Sequence, residues 1–176
     1  TNFTAFIVAD VCDKGVGAAL FMVLFRSLLR AYSRMDVDRD NVRERLLEIV
    51  QNTNNFIAEY HGKSNMFATL FFGILDTENG SLYYVNGGHE PPVILDKGGR
   101  EIVRLMPTGP AVGLFPDMEF RVEEVHLNEG DFLVGFTDGT TDAKNASGEQ
   151  FSEKRLLKPI SAPWTSIFSM IFELNA

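Results

Sequence analysis

Residues 66–75 are apolar or aromatic at nearly every position, and such a run is the mark of a central strand covered on both faces. The chain must therefore build a layer on each side of that strand. Residues 76–80 supply a turn, and 81–85 return from it as a hairpin partner. Upstream, residues 3–8 are rich in aromatic and β-branched side chains and read as a strand that delivers Asp10 to its C-terminal edge. Strong helix formers dominate 16–34, and the first two turns are apolar all round, which predicts a helix buried on more than one side. Asp40 or Asn41 is placed to cap a second helix running to Tyr60, with Leu46, Ile49, Val50, Thr53, Ile57 and Tyr60 on its apolar face. Further strands are expected at 92–96, 102–105, 120–127 and 131–137, separated by Gly, Pro and Asn clusters. A last helix is expected from Ser152, interrupted by Pro159 and Pro163. One strand, two helices and then a run of strands define an α+β layer arrangement, not an alternating βαβ sheet.

Charge and cysteine content narrow the function. Sixteen basic against twenty-four acidic residues give a net charge of -8 with no isolated Lys/Arg cluster, so nucleic acid is not an expected partner. The lone Cys12 can form no internal disulfide, which suits a reducing, cytoplasmic setting. The longest apolar run, 15–25, is about half the length of a membrane span and is flanked by Asp13, Lys14 and Arg26, so no direct membrane contact by this domain is expected. The 176 residues suit a single domain, 1–176, that reads as trimmed at both ends from a longer protein. Neither a dinucleotide-binding glycine fingerprint nor a phosphate-binding P-loop is present.

Two acids stand at the ends of apolar strands, each followed by a glycine-containing turn: Asp10 in ADVCDKG (9–15) and Asp138 in FTDGT (136–140). Side by side, two such strands would bring the carboxylates together, and a divalent cation would offset their repulsion. The alternative reading of Asp-Gly after a strand is a simple turn.

Taken in order, ADVCDKGVGAALFM (9–22), FATLFFGILD (67–76), YVNGGHEPP (84–92), GLFP (113–116) and GDFLVGFTDGTTDA (130–143) resemble the blocks of a known family. It is the bacterial stage II sporulation protein E type, the branch of the metal-dependent protein phosphatases (protein phosphatase 2C-like) that includes the sigma-factor regulator phosphatases. The resemblance runs from residue 5 to about 156. It implies a four-layer αββα sandwich of two mainly antiparallel sheets flanked by helices, with two Mn2+ or Mg2+ ions between sheet ends. It also implies hydrolysis of phosphoserine or phosphothreonine on a regulatory protein, usually a STAS-type anti-anti-sigma factor. Carried over, Asp10 bridges both metals, the Val11 carbonyl completes one site and Asp138 holds the other, with a metal-bridging water as nucleophile. Cys12 then has no nucleophilic role.

The chain departs from that pattern in places. Asp13 stands where the family usually has glycine; it reads as an outer-sphere metal ligand or, in preference, as the N-cap of the 16–34 helix. The family's closing Asp-Asp-x-Thr block, whose acid is another metal ligand, does not follow residue 156, and the upstream Gly-Asp-x-x-Asp block is missing. A binding module of low or no activity is therefore the second reading. His89 reads as a turn stabiliser beside Pro91 and Pro92 in preference to a general acid, Thr69 as a satisfied core hydroxyl, and Asp142 as a solvated turn residue. The 16–34 helix, directly behind the Asp10 loop, is the expected homodimer face and a candidate switch element.

Overall fold

The computed structural model describes residues 2–33, 37–62 and 66–157. In chain order these form β1 (Phe3–Val11), α1 (Val16–Tyr32), α2 (Val42–His61), β2 (Ala68–Asp76), β3 (Ser81–Gly87), β4 (Val93–Leu95), β5 (Glu101–Arg104), β6 (Glu123–His126), β7 (Phe132–Val134), α3 (Asp138–Thr141) and α4 (Glu153–Leu157). Of the predicted last helix only α4 falls within the described residues. The strands make two antiparallel sheets, ordered β1-β2-β3-β6 and β5-β4-β7.

The apolar run becomes β2, and the period of two explains why it carries so little polarity. Leu70, Phe72 and Ile74 face a core beneath α1 and α2, whereas Phe71 and Leu75 face a second core shared with the other sheet. Burying each of the large side chains contributes roughly 1.5–3 kcal/mol, so the strand shared by two cores is the chief anchor of the fold. The same alternation recurs in β4: Ile94 points into the inter-sheet core, and Val93 and Leu95 pack on the far side with Phe136 and with Leu156 of α4. The layers are thus the helix pair, the four-stranded sheet, the three-stranded sheet and α4, the sandwich expected.

Several local expectations are corrected. β1 runs on to Val11 because all nine of its residues pair with β2, from Phe3 opposite Asp76 to Val11 opposite Ala68. The strand leading to Asp138 is not β1's neighbour; it belongs to the other sheet, and the two meet face to face. The helix α1 is buried on one face only, by Phe21, Phe25 and Leu29 at intervals of one turn. Its opposite face leaves Val16, Leu20 and Val23 at 77%, 67% and 63% exposure. In α2 the predicted stripe is buried from Leu46 to Ile57, but Tyr60 lies outside it, 71% exposed, with its ring 4.9 Å from that of Phe56. Asn41 occupies the N-cap position without a side-chain capping bond, because its αR backbone turns the side chain back to accept from the Asp38 amide at 3.0 Å.

Candidate active site

Asp10 lies opposite Thr69 near the end of β1, an edge strand. One step on, the Ala68 amide and carbonyl are both spent on Val112, at 3.0 and 2.8 Å, so Val11 and Ala68 form the non-hydrogen-bonded kind of antiparallel pair. The polar backbone groups of Val11 therefore point off the sheet edge. Its amide donates to the Asp10 carboxylate, and its carbonyl faces outward with it.

Asp138 comes from the second sheet. After β7 the chain passes Gly135, where an added Cβ would sit 3.3 Å from a Val8 methyl, so the sheets approach closely here. Phe136 is buried, Thr137 takes the N-cap position, and Asp138 is the first residue of α3. The two exposed acids are near enough to act on each other: burial, then the charge of Asp138, push the Asp10 carboxyl above its ordinary range. The charge of His89 and the Val11 amide oppose that rise.

His89 is only 2% exposed. Its backbone turn is closed by Asn86, whose Oδ1 accepts from the His89 amide at 2.8 Å and whose Nδ2 donates to the His89 carbonyl at 3.1 Å. The turn role is thus carried by Asn86 and the His89 backbone, leaving the ring free for another purpose. Its Nδ1 lies 2.8 Å from Thr69 Oγ1, while Nε2 is buried with no partner in hydrogen-bond geometry. Burial pushes the ring below the ordinary histidine range; the Phe136 backbone, Asp10 and Asp138 all act in the other direction. Burial, by favouring the neutral ring, makes His89 a poorer general acid.

Asp13 does not cap α1. Its backbone is left-handed at φ 76°, which turns its carboxylate onto the following amide, Lys14, at 2.7 Å, and the helix begins only after Gly15. Asp142 is exposed in the turn after α3 and accepts from Gln150 Nε2 at 3.4 Å. Cys12 Sγ accepts from the Phe67 amide at 3.2 Å. Among the described residues no group of three or more His, Cys, Asp or Glu is arranged as a metal site. What the structure does bring together is two mutually repelling carboxylates and an outward backbone carbonyl, an all-oxygen set that suits a hard divalent cation. Sequence reasoning separated Thr69 and His89 from the site; the β1–β2 register links Thr69 to it, and the hydrogen bond to Thr69 links His89.

Two packed antiparallel sheets between helices, with acids from both sheets meeting at one end, define the protein phosphatase 2C-like class. The chain matches the family Stage II sporulation protein E (SpoIIE) over residues 2–170, and it belongs to that family. It is 41% identical over 184 aligned positions to Protein IcfG of Synechocystis sp. (strain ATCC 27184 / PCC 6803 / Kazusa), covering 94% of this chain and 29% of IcfG. It is 26% identical to the phosphoserine phosphatase RsbU of Bacillus subtilis (strain 168), covering 80% of this chain and 40% of RsbU. Its fold matches the crystal structure of the RsbU and RsbW domains of Rv1364c from Mycobacterium tuberculosis with a TM-score of 0.66 at 26% identity, over 81% of this chain and 38% of that one. The chain thus spans well under half the length of the curated relatives it matches.

Proposed function

We propose that this chain is a metal-dependent protein serine/threonine phosphatase domain that removes phosphate from a phosphoserine or phosphothreonine on a regulatory protein, a STAS-type anti-anti-sigma factor, in cytoplasmic sigma-factor signalling. The observation that carries the reading is the meeting of Asp10 and Asp138 from opposite sheets, close enough to raise the Asp10 carboxyl. Kinship to a phosphoserine phosphatase supports the substrate class.

Asp10, the Val11 carbonyl and Asp138 are the groups proposed to hold Mn2+ or Mg2+, two ions in all, with Asp13 on the same loop as an outer-sphere partner. The chemistry such cations supply when bound is activation of water and neutralisation of phosphoryl charge, so no covalent phosphoenzyme is needed. The chain's own part is to hold one carboxylate near the end of β1, oriented by the Val11 amide, and the other at the start of α3. The exposed Val16, Leu20 and Val23 of α1 supply the apolar surface for the proposed homodimer.

The test is Mn2+-dependent hydrolysis of p-nitrophenyl phosphate by the full-length parent protein and its Asp138→Asn variant. Activity that requires Mn2+ and is lost in the variant is expected. A folded parent without turnover in excess Mn2+ would instead support the second reading, a partner-capturing module, which the lack of a third ligating side chain among the described residues favours. Dimerisation is checked by sedimentation of the parent and a Leu20→Glu variant, which should remain monomeric.

A further inference from the structure

A buried imidazole nitrogen without a partner is uncommon, because an unmet polar group inside a protein is destabilising by about 1–3 kcal/mol. His89 Nε2 has no partner in strict hydrogen-bond geometry, yet the ring feels the Phe136 backbone, and these surroundings give it a role. The other ring nitrogen is fixed 2.8 Å from Thr69 Oγ1. Thr69 is the residue in register with Asp10, and its hydroxyl also lies 3.5 Å from the Asp10 carbonyl. On the other side the ring meets the backbone of Phe136, two residues before Asp138. His89 therefore stands between the two sheets, touching the support of each acid and neither acid directly.

We propose that His89 is a positioning residue: anchored on Thr69 opposite Asp10, its buried ring props the Phe136 turn and thereby sets the spacing of Asp10 and Asp138. This inference rests on the metal site proposed above. The side-chain roles separate by ring nitrogen. Asparagine at position 89 can imitate Nδ1 and keep the Thr69 contact, whereas glutamine can imitate Nε2 and keep the prop against Phe136. Burial favours the neutral ring, which carries a single N–H, and the bond to Thr69 decides which nitrogen bears it.

The experiment measures Mn2+ affinity of the parent protein by the loss of the free-ion electron paramagnetic resonance signal, which needs no turnover. Each variant's metal-free melting temperature serves as the control for folding. His89→Ala and His89→Asn should weaken Mn2+ binding roughly tenfold or more, the size seen when a group supporting metal ligands is removed. His89→Gln, which lacks only the Thr69 anchor, and Thr69→Val, nearly isosteric, should each weaken binding, by similar factors smaller than that of His89→Ala. Folded His89→Ala and His89→Asn proteins binding Mn2+ within about twofold of the parent would overturn the inference, given that such support is normally worth tenfold. If the position 89 variants fail to fold, Thr69→Val decides: parent-like affinity there overturns it. Asp138→Asn separates the two levels, since loss of binding in that variant with parent-like His89 variants sinks this inference alone. Unchanged binding in Asp138→Asn sinks the metal site and this inference together.

Discussion

Replacing Asn54 by alanine should destabilise the domain by about 3 kcal/mol. Asn54 is wholly buried on the inner face of α2, and its side chain holds the 113–116 loop at two points. Its Oδ1 accepts from the Gly113 amide at 2.9 Å and its Nδ2 donates to the Phe115 carbonyl at 2.9 Å. The two bonds are unequal. The Gly113 amide is buried and would be left unpaired, a penalty of about 2 kcal/mol, whereas Phe115 is 65% exposed and its carbonyl can turn to water for about 1 kcal/mol. The assay is urea unfolding of the metal-free protein. With a slope of roughly 2–3 kcal/mol/M for a domain of this size, the midpoint should fall by about 1–1.5 M at unchanged slope. Asn54→Asp sharpens the test: it keeps an acceptor for Gly113 but sets an oxygen against the Phe115 carbonyl, so the loss should persist. A midpoint shift below about 0.3 M in Asn54→Ala would refute the reasoning, because the slope makes that less than 1 kcal/mol.

Three further outcomes are expected. Phe25→Ala should destabilise by about 3–5 kcal/mol and Leu20→Ala by less than about 1 kcal/mol, since one is 1% and the other 67% exposed; equal losses by thermal melting would mean that α1 is buried on both faces. Asp138→Asn should lower the titration point of the Asp10 carboxyl in carbon NMR of the metal-free protein, because the second-largest cause of its rise is removed; an unmoved titration would show the acids to be apart. Asp76 is held below its ordinary value of 3.8 first of all by the hydrogen bond from Arg39, at 2.6 Å. A depressed carboxyl stabilises the fold above the ordinary value and loses that contribution as pH falls through the folded one. The melting-temperature gap between the parent and Arg39→Leu should therefore be full at neutral pH and close as the pH falls below 3.8; a gap independent of pH would point to packing alone.

What was legible in the sequence is what local pattern determines. The unbroken apolarity of β2 foretold two covered faces, and the spacing of Leu46, Ile49, Val50, Thr53 and Ile57 foretold the buried side of α2. Composition misled where periodicity would have served: α1 is rich in apolar residues all round, yet the fully buried ones are Phe21, Phe25 and Leu29, one turn apart, with Leu28 and Tyr32 partly buried beside them. Asp13 has the chemistry of a cap but sits two residues before Gly15, where the helix starts, and its own next amide claims the carboxylate. The partition of strands between sheets was out of reach, because nothing in 132–138 states which strand it will face. For the same reason Thr69 and His89 looked like core and turn until the register placed Thr69 opposite Asp10 and a hydrogen bond set His89 upon Thr69.

That the two acids arrive on different sheets has a consequence for the order in which the chain acquires its properties. Pairing β1 with β2 already closes a loop over both long helices, and Asp138 can join only after the second sheet has formed and docked. Contacts of such long sequence separation form late and slowly, since the entropy of closure is spent before any contact rewards it. No local fragment of this chain carries a precursor of the carboxylate pair. If the carboxylate pair holds a cation as proposed, its affinity should appear in the last phase of refolding, and Mn2+ capture would then serve as a kinetic marker for the docking of one sheet upon the other.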